Sequence, residues 1–189
     1  FDQKYGFRDY RGGGRSSGRE TIARVAAGAI AAKLLKELGI EVDAYTRSIG
    51  EVEIQEENFR LEDRFENPVC MPDADAALAA QKLLEEKMNE QDSVGGVVEC
   101  VVRNLMPGIG EPVFDKLDAR LGQAIFSIGA VKGVEIGAGF AAAKMSGSED
   151  NDGFYAENDE VKKYTNHAGG ILGGISDGSD IIVRAAFKP

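Results

Sequence analysis

The chain is poor in the side chains that build metal centres and nucleophile–base pairs. It has one histidine, His167, and two cysteines, Cys70 and Cys100, in 189 residues. The two cysteines match no metal-binding or redox spacing. The histidine has no cysteine or histidine neighbour in the sequence, so it reads as structural, and no metal site is expected. No Ser/His/Asp set, Cys/His pair or distinctively spaced carboxylate pair is present. Positive charge is also short: 22 Lys and Arg stand against 32 Asp and Glu, a formal net charge of -10. A general nucleic-acid binder needs a broad basic face, which this composition excludes. No apolar run approaches the roughly 20 residues that span a bilayer, and no leader-peptide pattern opens the sequence. The expectation is therefore a cytoplasmic protein with two buried thiols, no membrane partner and no nucleic-acid partner.

Against that acidic background one segment stands apart: Arg8-Asp-Tyr-Arg-Gly-Gly-Gly-Arg-Ser-Ser-Gly-Arg-Glu-Thr21. Up to residue 24 the cations Lys4, Arg8, Arg11, Arg15, Arg19 and Arg24 face only Asp2, Asp9 and Glu20. Glycines let backbone N–H groups turn toward a ligand unobstructed. A helix N-terminus carries unpaired N–H groups and partial positive charge. Ser16 and Ser17 add hydroxyls, and arginine recognises phosphate or carboxylate with two parallel bonds. Together these describe a pocket for a phosphorylated or carboxylated small molecule. A capped helix behind a solvated basic turn is the bland alternative. The terminal Gly-Lys-Ser/Thr of a nucleotide P-loop is missing.

Ser17 and Glu20 have capping-box spacing, which predicts a helix running to about Leu38 with Gly39 as its stop. Residues 22–32 are almost free of polar side chains, so this helix is expected to be buried. Residues 40–54 alternate with β-branched character and predict one or two strands broken near Ser48-Ile49-Gly50. A charged excursion follows over 55–67. Pro72-Asp-Ala-Asp opens a helix to about Asn89, with Leu78, Leu83, Leu84 and Met88 as its expected buried stripe. Strands are predicted over 95–104, 131–136 and 181–187, and a helix over 113–127. Residues 107–112 read as a turn-rich link, and 146–160 as a mobile acidic loop. Helices and strands intermix without strict alternation, which predicts an α+β domain. The start at Phe1 and the stop at Lys188-Pro189, just after a strand-like run, read as the middle of a longer protein.

A second glycine-rich loop, Thr165-Asn-His-Ala-Gly-Gly-Ile-Leu-Gly-Gly-Ile-Ser-Asp-Gly178, carries two glycine pairs. These suit either tight turns between strands or close approach to a flat ligand.

Four ordered blocks together resemble the chorismate synthase family. They are residues 5–21, from Tyr5-Gly-Phe-Arg through the arginine loop; Gly110-Glu-Pro-Val-Phe-Asp-Lys-Leu-Asp118; Ala130-Val-Lys-Gly-Val-Glu-Ile-Gly137; and Asn166-His-Ala-Gly-Gly-Ile-Leu-Gly-Gly-Ile-Ser176. The resemblance implies helices sandwiched with antiparallel sheets, and residues 1–189 as the central part of a single domain. It implies anti-1,4 elimination of phosphate from 5-enolpyruvylshikimate 3-phosphate to give chorismate, with reduced FMN as cofactor. NADPH enters only if the parent enzyme reduces its own flavin. A homotetramer is implied for the full-length enzyme.

Position by position, the resemblance makes Arg15, Ser16 and Ser17 flavin-contacting residues and Arg19 a holder of the anionic substrate. Gly129 and Ala130 match a flavin-contacting dipeptide whose first residue is often asparagine. Gly173 matches a flavin-contacting backbone position, and Lys188 opens a Lys-Pro flavin segment. The family's two catalytic histidines and its assisting aspartate have no counterpart in residues 1–189, and His167 is not one of them. No catalytic residue is thus expected here, and the chain alone is expected to be inactive. The alternative is a non-catalytic flavin- or anion-binding, or assembly, module.

Overall fold

The computed structural model describes residues 1–158 and 160–189. A short helix, α1 (Asp2–Tyr5), ends at Gly6, whose positive φ of 81° lets its N–H return to the Asp2 carbonyl. After the glycine run come two 3-10 turns, Gly14–Ser16 and Gly18–Glu20, and then helix α2 (Thr21–Glu37). Strands β1 (Glu41–Ile49) and β2 (Val52–Glu53) form a hairpin, helix α3 (Ala74–Asn89) follows, and β3 (Gly96–Arg103) returns antiparallel to β1. Helix α4 (Leu117–Phe126) leads into β4 (Val131–Ile136). The one-turn α5 (Gly147–Asp150) precedes two small hairpins, β5 (Phe154–Glu157) with β6 (Glu160–Lys163), and β7 (Ile171–Leu172) with β8 (Ile175–Ser176). The last strand, β9 (Ile181–Phe187), inserts between β3 and β4.

The result is an antiparallel five-stranded sheet of order β2-β1-β3-β9-β4 with helices on both faces, an α+β fold as expected. Side chains alternate across a strand, and the register sorts them. Tyr45 and Val101 point to one face, where Met71 and the α3 alanines Ala76, Ala77 and Ala80 cover them. Ile181 and Val183 point to the other, where Val134, Ile136 and the α4 residues Leu117, Leu121 and Ile125 complete a second cluster with Ile171. Asp73 starts α3: its carboxylate, 1% exposed, accepts from the N–H groups of Asp75, Ala76 and Gln55 at 2.9–3.0 Å. Such caps are worth about 1–2 kcal/mol.

Several expectations are corrected. Helix α2 contains no buried residue, and Ile22, Val25, Ile30 and Leu34 are 63–73% exposed. Its apolar girth is real, but within these residues no layer lies over it. The buried face of α3 is its alanine row; of the expected stripe Leu83 and Leu84 are half-buried, while Leu78 and Met88 are exposed. Small side chains let this helix approach Tyr45 and Met71 closely, and that contact sets its rotation. Helix α4 starts at Leu117 rather than Val113, because residues 111–115 close a turn through reciprocal Glu111 and Asp115 backbone bonds. The span 146–160 holds α5, with a capping box from Ser146 and Glu149, and the start of the β5–β6 hairpin; Asp159 lies outside the described residues. Cys70 is exposed rather than buried, in a turn of positive φ, while Cys100 is half-buried and burial pushes its thiol pKa up.

On the face shared with α3 lies a charged cluster that the sequence did not announce. Glu99, 5% exposed, accepts from the Tyr45 hydroxyl and from Arg184 Nε, each at 2.5 Å, and pairs with Arg47 at 3.4 Å. Arg184 also donates to the Gly137 carbonyl at 2.9 Å. Burial, then the hydrogen bond and charge of Glu99, push the Tyr45 pKa up.

Candidate functional site

The arginine loop folds largely on itself. Arg11 pairs with Asp9 through two bonds of 2.9 Å, and its side chain and backbone N–H hold the Asp9 carboxyl below its ordinary pKa. Arg15 pairs with Glu20 at 2.8 Å. That pair displaces the expected capping box. Glu20 accepts a charge-assisted bond from Arg15, stronger than one from the neutral Ser17 N–H. Ser17 Oγ instead caps the single Gly18–Glu20 turn by accepting from the Arg19 N–H at 3.3 Å. Ser16 Oγ donates to the Gly13 carbonyl at 2.7 Å. Among the described residues Arg8 and Arg19 have no carboxylate partner within salt-bridge distance. A cleft of about 470 Å³ lies against this loop, lined by Phe1, Tyr5, Phe7, Arg8, Asp9, the Gly12–Gly14 run, Arg15 and Ser16. Its size suits a small ligand. Ser17 and Arg19 stand outside this lining, and so do Gly129, Ala130, Gly173 and Lys188.

Those residues sit around α4. Ala130, in the turn after the helix, has φ 71°, and its carbonyl accepts from the Lys188 N–H at 3.0 Å, so the structure brings these two together. Gly129 is open: a side chain there would meet nothing within 4 Å. Gly173 and Gly174, with φ of 61° and 86°, form the two-residue turn between β7 and β8. Positive φ at both central positions of such a hairpin explains this glycine pair without a ligand. The Gly174 carbonyl accepts from the Leu117 N–H at 2.8 Å, at the start of α4. Gly173 and the Gly129–Ala130 turn therefore mark opposite ends of a ten-residue helix, roughly 15 Å apart at 1.5 Å per residue.

The second glycine loop is held from two sides. Ala138 N–H donates to the His167 carbonyl at 2.7 Å, and Gly137 packs against Gly169 so closely that a Cβ on either would run into backbone. From the other side Asp152, 4% exposed at its side chain, accepts from Thr165 Oγ1 (2.6 Å), His167 N–H (2.7 Å) and Ala168 N–H (2.9 Å). Burial alone would raise the Asp152 pKa. The bonds from Thr165, Ala168 and His167, with the charge of Lys163 behind, outweigh it and hold the pKa down to about 2. His167 Nδ1 lies 3.2 Å from the Asp150 carbonyl and 3.4 Å from Asp152, in a second cleft of about 440 Å³ that also touches Asp118, Ile171 and Leu172. Asp152 and Glu99 are the residues that sequence reasoning missed. Asp152 falls in the span expected to be a loop; Thr165-Asn-His, a run of donors, was the one signal of a nearby acceptor. Among the described residues no three His, Cys, Asp or Glu side chains gather to hold a metal, and no helix is long and apolar enough to cross a membrane.

Three of the four sequence blocks thus meet: Leu117 with Gly174, and Gly137 and Ala138 with His167 and Gly169. The whole chain, residues 1–189, matches the family model described as chorismate synthase. The chain belongs to the chorismate synthase family. It is 64% identical over 190 residues to a chorismate synthase of Lachnoclostridium phytofermentans and 59% identical over 189 residues to that of Lachnospira eligens, all of this chain aligning with 52% of each. A crystal structure of chorismate synthase superposes with a TM-score of 0.85 at 35% identity, over 93% of this chain and 57% of that one. The chain thus spans about half the length of the curated relatives it matches. In this chorismate synthase-family chain, among the described residues, the cleft at the arginine loop and the cleft at His167 are each lined without the Gly129–Ala130 turn, Lys188 or Gly173.

Proposed function

We propose that this chain forms the flavin- and substrate-binding part of a chorismate synthase, which eliminates phosphate and a proton from 5-enolpyruvylshikimate 3-phosphate to give chorismate. The observation that carries the reading is the pair Arg8 and Arg19, without carboxylate partners, beside a glycine run and a helix N-terminus. Such a cluster of donors is what a multiply anionic substrate and an anionic cofactor require.

The residues present fit an FMN: a cleft of flavin-compatible size, free guanidinium charge and an open Gly173. Arg15, Ser16 and Ser17 are assigned to the flavin, as are the Gly129–Ala130 backbone, Gly173 and Lys188. Held by these residues, reduced FMN would supply electron density that assists the loss of phosphate. Arg19 holds the substrate's anionic groups and neutralises charge as it gathers on the departing phosphate. Serine hydroxyls and glycine N–H groups orient the bound molecules, and Phe1, Tyr5 and Phe7 shed water from the cleft. No side chain of residues 1–189 is assigned to move the proton, so the chain alone is inactive in elimination. The full-length enzyme is read as a cytoplasmic homotetramer, with NADPH needed only if it reduces its own flavin.

The test is an FMN titration of this chain, followed by flavin fluorescence, with and without 5-enolpyruvylshikimate 3-phosphate. Saturable binding tightened by the substrate is expected. Binding without tightening favours a non-catalytic flavin module. No binding by folded chain refutes the reading, and turnover by the purified chain refutes its inactivity.

A further inference from the structure

Arg24 Nη2 donates to the Ser127 carbonyl at 3.0 Å, across 103 residues of sequence. Among the described residues this is the single hydrogen bond from residues 1–37 to any residue beyond 40. It starts on the second turn of the helix that the arginine loop opens. It ends on the C-cap of α4, where unpaired carbonyls concentrate partial negative charge. Two residues further on stand Gly129 and Ala130, whose other anchor is the Lys188 N–H. Helix α4 is therefore pinned at its start by the Gly174 carbonyl and at its C-cap by Arg24, and the Gly129–Ala130 turn that follows it is held by Lys188.

The geometry points to Arg24 as a positioning residue that holds the Gly129–Ala130 turn in register with the arginine loop, and so couples substrate held at Arg19 to flavin held at the turn. This rests on the reading above. Arg24 itself contacts neither molecule. It acts through the bond that, among the described residues, ties the start of α2 to the C-cap of α4: breaking it would let Arg15 and Arg19 shift relative to Ala130. Lysine keeps the cation at the α4 terminus with less directional control.

Hydrogen exchange of the chain, with Arg24→Ala and Arg24→Lys, tests the coupling. A charge-assisted bond of this kind corresponds to about a tenfold change. Arg24→Ala is expected to speed exchange of the Lys188 and Val131 amides about tenfold while the central amides of Val101 and Val183 are unchanged. It is expected to weaken FMN binding by a similar factor and to abolish tightening by 5-enolpyruvylshikimate 3-phosphate, with Arg24→Lys restoring much of both. Wild-type exchange in Arg24→Ala overturns the proposal. So does altered exchange with unchanged flavin affinity and unchanged tightening, which reduces Arg24 to a structural tie. If the wild-type chain binds no FMN, the functional reading fails, while the exchange arm still decides whether Arg24 holds the turn.

Discussion

Replacing Asp152 by asparagine removes one charge from a buried site that three donors are built to satisfy. The carboxylate accepts from Thr165, His167 and Ala168 at 2.6–2.9 Å. An amide offers one acceptor oxygen and turns its NH2 toward a donor that then has no partner, at a cost of about 2–4 kcal/mol. Linkage gives an independent figure. Folding moves the Asp152 pKa from 3.8 to about 2, which at 1.36 kcal/mol per unit is about 2 kcal/mol of stability. Because the folded pKa is depressed, that stabilisation is fully present above about pH 4 and drains away as the pH falls toward 2. The assay is urea unfolding of the wild type and Asp152→Asn at pH 7, 5, 4 and 3. It is followed by far-UV circular dichroism, since the chain has no tryptophan. The variant should be less stable by 2–4 kcal/mol at pH 7, and the gap should narrow below pH 4. A gap under 0.5 kcal/mol at pH 7, or one that stays constant to pH 3, refutes the account of Asp152 as the ionised anchor of the second glycine loop.

Gly137→Ala combines a φ of +57° with a Cβ that runs into the His167 carbonyl and Ala168–Gly169 backbone; it should cost more than about 3 kcal/mol in urea unfolding, whereas Gly129→Ala, open on all sides, should stay within about 0.5 kcal/mol. Glu99→Gln leaves Arg184 and Arg47 short of a buried counter-charge and should cost about 2–4 kcal/mol; in a spectrophotometric titration it should also let Tyr45 ionise at lower pH than in the wild type. Ile30→Gln on exposed α2 should change stability by less than about 0.5 kcal/mol and reduce binding of an apolar dye, whereas a loss of more than 2 kcal/mol would mean that something in solution covers the helix.

What was legible in the sequence was what local pattern controls. The break of β1 and β2 follows from Gly50, the limits of β4 and β9 from their β-branched runs, and the end of α2 from Gly39, whereas its start was read from a Ser17–Glu20 capping box that does not form. The arginine loop was legible as a unit because its glycines and charges are contiguous. Burial was not, because it depends on what lies opposite. The same apolar pattern that predicts a buried α2 is exposed here, and α3 turned its alanines inward although its leucines are the stronger apolar signal. Glu99 left no trace and Asp152 only the donor run Thr165-Asn-His, because their partners come from 13 to 85 residues away. The bond of Arg24 to Ser127 was hidden more deeply still, since a backbone carbonyl leaves no trace in residue identity.

The position of β9 has a consequence for synthesis. Although last in order, it pairs with both β3 and β4. On the ribosome β3 must therefore wait, with one edge unpaired, while about 80 more residues are added, some 4–16 s at ~5–20 residues per second. The β4 segment waits too, for a shorter time. For that interval the nascent chain holds two valine-rich strand edges open to solvent, and the β3 edge in particular is suited to pair with a neighbouring nascent chain. Slowing translation just before residue 181 should lower the yield of soluble chain, and speeding it there should raise it.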